Sequence, residues 1–572
     1  MEPKPIWTKL WSIRHLLVCW LTPFVWSPLL AVVGRQKEAR CGYVVAVMIT
    51  YWFTEVIPMA ITSLIPVVLF PVLQIMSTDK VAKSYFNGTI MVFLGSLIAA
   101  TAVSKSNLHE RIALKVIMLT GTSPRRLMLG FIVTTAFLSM WISNLATVAM
   151  MLPIANAALD QLERRQSVSV ATNDTVFVTI GAGDHVRSNS ITKTSTVAES
   201  RKNESKPLHK GILLAICYSA NIGGTGTLTG TSTNLVLNGF LKDDPISFSD
   251  WFFFNFPTLV LLVLATWLFL TCFFVHNSSS SSSKLGSKME AKRNEKQVLE
   301  ALRQQYDHLG CIRFNEMAVL ILFGLLLSLW FFRAPDFMHG WSTMFSDRNN
   351  SYIKDAVPTI FVVLLFFVIP ADPRNLAQSP MLLDWKTTRE QVSWSVMLLL
   401  GGGFAMAKGC EQSGLSAVLG DSLYMLHQLS PFAITLIMCS VSMTLTELVS
   451  NTAAINIMLP VIHQMSHSMK TDLNPLSVML PVTVSCSYAF MLPFASGTNA
   501  IIFEAGKMKT KDMLIPGFFL KIICVLILLA INSVWAPVIF QLGDGGGGDN
   551  PIMFSSSSST RQQQCEIEQR IF

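Results

Sequence analysis

Two Ser-Asn pairs, Ser143-Asn144 and Ser450-Asn451, sit inside long apolar stretches of the chain. A helix that breaks at such a pair leaves backbone groups unpaired on each side of the break. The half-helix N-termini then present N–H groups and positive dipole ends to an anion. The freed carbonyls, with Ser, Thr and Asn oxygens, offer neutral hard ligands to Na⁺. The run Gly223-Gly-Thr-Gly-Thr-Leu-Thr-Gly230 allows close approach of backbone to a ligand. It is not a Walker loop, because no Gly-Lys-Ser/Thr follows, and Thr229 breaks the GxGxxG spacing. Other chemistries find no support. There is no HExxH, no GxSxG and no paired intramembrane Asp, which argues against an enzyme. Glu55 and Glu447 lie in or near apolar runs, but a carboxylate repels a dianion, so both read as structural or interface positions. His463 and His467 are four apart, which suits one helix face, and two His make a poor metal site. Lys408 and Glu411 end a span and read as snorkelling, and many of the 28 Met lie in spans and read as packing.

The elements that position these residues form a repeat. Met140–Pro153 resembles Glu447–Pro460, with Ser143-Asn144 and Ser450-Asn451 at an offset of 307. Leu94-Gly95-Ser96 resembles Leu400-Gly401-Gly402 at 306, and Thr233-Asn234 resembles Thr498-Asn499 at 265. The polar insert 160–210 in the first half accounts for the shorter offset. The plain alternative for the Ser-Asn pairs is polar packing inside a helix bundle. The shared order of Ser-Asn, Pro and Thr-Asn positions argues against it. Repeated halves, each with a re-entrant candidate and a broken helix, are the pattern of a secondary transporter built from inverted repeats.

Composition agrees. Of 572 residues, 51% are apolar and only 14% charged, and soluble proteins carry about 25% charged residues. With spans of roughly 20 residues, the reading is an all-α polytopic membrane protein. The net charge of +8 marks cytoplasmic loops rather than a nucleic-acid surface. Basic segments 105–126, 277–313 and 505–511 are placed in the cytoplasm; Arg35, Lys37 and Arg40 run against that scheme. The sequon at Asn349 falls in a loop expected outside and is the candidate glycosylation site. Residues 107–119 suggest an amphipathic interfacial helix. The ten Cys show no disulfide or metal spacing and read mainly as small buried hydrophobes. The tail 543–572 is low in complexity.

At these residues the chain resembles the divalent anion/sodium symporter family of sodium-coupled dicarboxylate, citrate and sulfate transporters. The resemblance covers roughly residues 15–541. It is carried by Trp52–Pro58, Asn107–Leu114, Leu138–Asn144, Asn221–Thr225, Gly401–Ala405, Ser450–Thr452 and Phe490–Ile501. It implies about eleven transmembrane helices plus two re-entrant hairpins, a homodimer, and a transport domain that moves like an elevator against a scaffold. Carried to matching positions, one sodium site is expected at Ser143, Asn144, Gly224, Thr225 and Gly226. A second is expected at Ser450, Asn451, Ala495 and Asn499. The substrate lies between the hairpin tips, at Asn144, Leu145, Asn451 and Thr452. Leu145 stands where a hydroxyl is usual. Thr231-Ser232-Thr233 and Ser496-Gly497-Thr498 also depart from the family, where Pro is common, and Asn456 stands where a Thr is often found.

The expected division is scaffold 14–122, transport part 123–276, cytoplasmic loop 277–313, scaffold 314–428, transport part 429–542, and tail 543–572. The expected function is sodium-coupled symport of di- or tricarboxylates such as succinate or citrate, with Na⁺ as the co-transported ion. The partners are a small anion, sodium and the lipid bilayer, with no nucleic acid, and the plasma membrane is the expected location. The alternatives are sulfate or another oxyanion, or a member of the fold that no longer transports.

Overall fold

The computed structural model describes residues 14–32, 36–121, 123–159, 207–241, 246–276, 287–334, 339–345, 352–376, 378–415, 418, 429–468 and 474–540. Among these it is almost wholly helical, with one isolated antiparallel bridge, Pro370 to Met381. The sequon at Asn349, the tail 543–572 and most of the polar insert 160–210 lie outside the described residues.

Both expected breaks are present. Pro124–Ser139 is followed by a four-residue break and then Asn144–Leu159. Pro431–Leu448 is followed, after Val449 and Ser450, by Asn451–Ser468. Each leading helix starts with Pro in its first turn, where the missing N–H costs nothing. The two broken helices are also present. Helix 207–223 gives way to the 3₁₀ turn Gly224–Gly226, then an irregular stretch, then Ser232–Phe240. Pro475–Ser485 gives way to an irregular stretch before Gly497–Ala505.

Burial separates centre from periphery. Every residue from 211 to 228 and from 478 to 490 is buried, so the broken helices form the middle of the molecule. The long helices Phe248–Leu270, Phe314–Phe331 and Thr510–Ile539 keep large apolar side chains exposed, including Leu261, Leu264 and Leu268, Met317 and Ile321, and Ile522 and Leu526. Apolar side chains three or four apart, facing outward on a long helix, suit a hydrocarbon surround. Among the described residues five helices are long and apolar enough to cross a bilayer, or six if the pair Trp385–Gln391 and Trp394–Ser413, bent by 58°, is one span.

Gly88–Lys105 packs on Ala356–Val368, and Trp394–Ser413 packs on Asn451–Ser468. Gly88–Lys105 also packs on Ser232–Phe240, so both Gly88–Lys105 and Trp394–Ser413 reach the broken elements. Leu108–Thr120, near the expected interfacial segment, is fixed by Arg111. Its guanidinium is buried, pairs with Glu316 at 2.9 Å and donates to the carbonyls of Leu309 and Gly310. Cys41, Cys217, Cys410, Cys439, Cys486 and Cys524 are buried free thiols, in line with the reading of small hydrophobes.

Candidate substrate and sodium site

The Ser of each Ser-Asn pair caps the helix that follows. Ser143 Oγ accepts from Ala146 N at 3.4 Å, and Ser450 Oγ accepts from Ala453 N at 3.3 Å. Such a side chain satisfies one of the four orphan donors at a helix start. The Asn of each pair is held by a hydroxyl five residues upstream. Ser139 Oγ donates to Asn144 Oδ1 at 2.7 Å and also lies 2.7 Å from the carbonyl of Ala220. Thr446 Oγ1 lies 2.6 Å from Asn451 Oδ1 and 2.7 Å from the carbonyl of Cys486. Ser139 and Thr446 are themselves 307 apart, so each break carries the same three-residue device.

The broken helices repeat a second device. Asn234 Nδ2 donates to the carbonyls of Gly224 at 3.2 Å and Thr227 at 2.8 Å. Asn499 Nδ2 donates to the carbonyls of Ala489 at 3.1 Å and Leu492 at 2.8 Å. All three pairs of positions are 265 apart. Each Asn ties the start of its second half-helix across the irregular stretch. The halves also interlock: Asn221 Nδ2 donates to Ala489 O at 3.0 Å, Thr498 Oγ1 donates to Asn221 Oδ1 at 3.2 Å, and the hydroxyls of Thr233 and Ser487 lie 2.9 Å apart.

A cavity of about 170 Å³ lies against the first break. That is about ten times the ~15 Å³ that one water needs. Ser143, Asn144 and Thr229–Thr233 line it from the first half, and Asn451 from the second. Trp141 and Ile142 of the break, Phe93, Ser96, Leu97 and Ala100 of Gly88–Lys105, and Ser393 and Val396 complete the wall. Its polar groups are hydroxyls, amides, backbone and the Trp141 indole, and no side chain lining it is ionisable. Ser96 and Ser393, from the packing helices, and Ser139 and Thr446 were not among the expected site residues. The 307-residue offset could have singled out Ser139 and Thr446, and the Leu94-Gly95-Ser96 repeat could have singled out Ser96.

Of the expected substrate residues, Asn144 and Asn451 line the cavity, and Leu145 and Thr452 do not. Thr452 Oγ1 instead lies 2.5 Å from Ser232 Oγ, and Leu145 is 49% exposed beside Gly497. Of the first expected sodium set, Gly224 packs directly on Asn144: a Cβ added at Gly224 would lie 2.6 Å from Asn144 Oδ1. Thr225 and Gly226 are buried in the adjoining turn. In the second set, Asn451 reaches the broken helix through Thr446 and Cys486 O, and Ser450, Ala495 and Asn499 sit on the same two elements. Among the described residues no cluster of three or more His, Cys, Asp or Glu could hold a metal ion. His463 packs edge-on against Phe240 at 5.3 Å between centroids.

Glu447 is a buried structural carboxylate. It pairs with Lys521 at 2.6 Å, and it accepts N–H bonds from Phe490, Met491 and Leu492 at 2.9, 3.0 and 2.9 Å. It thereby fixes the irregular stretch of the second broken helix.

A family model described as the sodium:sulfate symporter transmembrane region matches residues 5–542. The chain belongs to this family. Among its relatives, the human Na(+)/dicarboxylate cotransporter 3 is 40% identical over 574 residues, covering 94% of each chain. The mouse Na(+)/citrate cotransporter is 40% identical over 567 residues, covering 94% of this chain and 96% of that one. Human solute carrier family 13 member 2 is 40% identical over 567 residues, covering 94% and 95%. Among solved structures, the antimetabolite efflux pump MtrF of Neisseria gonorrhoeae shares 11% identity at a TM-score of 0.49, over 80% of this chain and 83% of that one. This sodium:sulfate symporter family member is an integral membrane transporter, not an enzyme.

Proposed function

We propose that the protein is a symporter that uses an inward Na⁺ gradient to take up a di- or tricarboxylate such as succinate or citrate. The observation that carries this is the neutral cavity. Hydroxyls and amides at the Ser-Asn breaks can hydrogen-bond an anion, yet no fixed cation lines the wall to offset its charge. Bound Na⁺ supplies that charge, and its absence leaves the dianion poorly balanced. Ion binding thus favours anion binding, which is coupling by linkage. The names of the dicarboxylate and citrate relatives, at 40% identity, support the substrate class.

In this reading one Na⁺ binds at Ser143, Asn144 and the Gly224–Gly226 turn. The other binds at Ser450, Asn451 and the stretch from Ala495 to Asn499. Segments 123–276 and 429–542 move together as a transport domain against a scaffold of 14–122 and 314–428, in a homodimer at the plasma membrane.

The test is uptake of radiolabelled succinate into cells expressing the chain, in sodium or in choline, with citrate and sulfate as competitors. Sodium-dependent uptake blocked by citrate is expected. No such uptake, with the protein shown at the surface, refutes the carboxylate assignment. Sulfate is the second reading, favoured by the sodium:sulfate symporter description of the family model.

A further inference from the structure

One face of the buried helix 207–223 reaches both proposed sodium sites. Asn221, on that face, is 1% exposed and belongs to neither expected ligand set. Its carboxamide oxygen accepts from Asn144 Nδ2 at 3.4 Å, in the first break, and from the Thr498 hydroxyl at 3.2 Å, beside Asn499. Its Nδ2 donates to the Ala489 carbonyl at 3.0 Å, the same oxygen that receives Asn499 Nδ2 at 3.1 Å. Cys217 lies four residues earlier on the same face. Its thiol donates to Asn499 Oδ1 at 2.9 Å. The side chains of Asn144 and Asn499, from different halves of the chain, are thus both held by this one helix. The corresponding position in the second half, 265 residues after Asn221, is Cys486, which has no amide to repeat the bridge; its carbonyl serves Thr446 of its own half.

From this we infer that Asn221 is a positioning residue that couples the two sodium sites, so that ordering one readies the other. The inference rests on the sodium assignments proposed above. An amide oxygen carries two lone pairs, and here one is used toward each site. Turning the Asn221 amide away from Asn144 also turns it away from Thr498 and Ala489, so the two sites share one arrangement of this side chain. Sodium at Ser143, Asn144 and the Gly224–Gly226 turn fixes Asn144, whose Nδ2 then holds Asn221 in the orientation that Thr498 and Ala489 require. The second site is left with less to order when its own ion arrives, and by linkage the effect runs equally in reverse.

The experiment measures succinate uptake against sodium concentration in cells expressing the full-length protein, normalised to surface protein, and reads the Hill coefficient as well as the half-saturation. Asn221→Ala removes the bridge, and Thr498→Val removes its second arm while keeping the shape of the side chain, so it reports even where Asn221→Ala fails to reach the surface. Both are expected to bring the Hill coefficient from above one in wild type toward one and to raise the half-saturation about fivefold, the lower end of ordinary coupling between sites. The control is Asn532→Ala, which deletes another buried amide bond, from Nδ2 to the Ser477 carbonyl at 2.9 Å, away from both sites. It is expected to lower the melting temperature of purified protein and leave the Hill coefficient unchanged. A wild-type Hill coefficient of one, a wild-type value retained in Thr498→Val, or an equal fall in Asn532→Ala overturns the inference, while sodium-dependent uptake by wild type leaves the symport reading standing. Wild-type protein without sodium-dependent uptake overturns both.

Discussion

Glu447→Gln is the sharpest perturbation of the second half. The carboxylate is buried with Lys521 at 2.6 Å, and Lys521 Nζ has one further acceptor, the Met443 carbonyl at 2.6 Å. Removing one partner of a buried pair typically costs about 3–5 kcal/mol, because the other charge stays behind uncompensated. Gln also carries only one acceptor oxygen, so at least one of the N–H groups of Phe490, Met491 and Leu492 loses its partner. Those residues hold the stretch whose Leu492 carbonyl receives Asn499. The cost therefore falls on the proposed second sodium site as well as on stability. If about 1.4 kcal/mol of it appears in ion binding, the sodium half-saturation of uptake rises about tenfold. The assay is succinate uptake against sodium concentration, normalised to surface protein, alongside melting of the purified protein. Adding Lys521→Met removes the stranded charge, so the pair variant is expected to regain melting temperature but not sodium affinity. Wild-type sodium half-saturation in Glu447→Gln, or its recovery in the pair variant, refutes the claim that the carboxylate positions this stretch.

Four further outcomes follow from the same contacts. Ser139→Ala and Thr446→Ala each remove one hydrogen bond that orients an Asn, worth about 1 kcal/mol, so each is expected to raise the sodium half-saturation about fivefold. An unchanged sodium curve in both would show that Asn144 and Asn451 need no such support. Gly224→Ala places a methyl 2.6 Å from Asn144 Oδ1 and is expected to abolish uptake while surface protein persists. Trp251→Phe deletes the 3.1 Å bond from the indole N–H to the Thr225 carbonyl, and a milder rise in sodium half-saturation than for Glu447→Gln is expected. Asp384 is held well below the usual carboxylate range by the Lys105 ammonium and by the N–H and hydroxyl of Thr387. A depressed carboxylate stabilises the fold above its unfolded pKa and loses that contribution only as pH falls through its folded value. Asp384→Asn is therefore expected to lower the melting temperature equally at pH 5.5 and pH 8, and by little, since this half-exposed pair is worth at most about 1 kcal/mol. A loss confined to one of those pH values would contradict the assignment.

The large features of the fold were legible because they are written in local pattern. Ser-Asn pairs inside apolar runs and the Gly-rich stretch 223–230 predict the breaks where they occur. Repeat offsets of 307 and 265 matched positions that turn out to make corresponding hydrogen bonds. What escaped the sequence depends on contacts between distant segments. Lys521 finds Glu447 across 74 positions, and Ser393 and Ser96 reach the cavity from elements far from the Ser-Asn pairs in sequence. Side-chain direction was equally out of reach. Motif position put Leu145 and Thr452 at the substrate, whereas the packing of each tip turns them toward Gly497 and Ser232.

The corresponding halves are alike in backbone and unlike in what holds it. Met140 stands 307 positions before Glu447, and it contributes a carbonyl, which receives Thr227 Oγ1 at 2.5 Å. The first irregular stretch is thus fixed by neutral bonds, from Thr227, Asn234 and the Trp251 indole. The second is fixed by a carboxylate that gathers three consecutive N–H groups and is itself balanced by a buried ammonium. Charged hydrogen bonds are shorter and roughly twice as strong as neutral ones. The stretch 490–492 is therefore the stiffer of the two, and its stiffness depends on one ion pair. The two proposed sodium sites rest on such unequal supports that they have no reason to fill with equal affinity, whatever the symmetry of the fold.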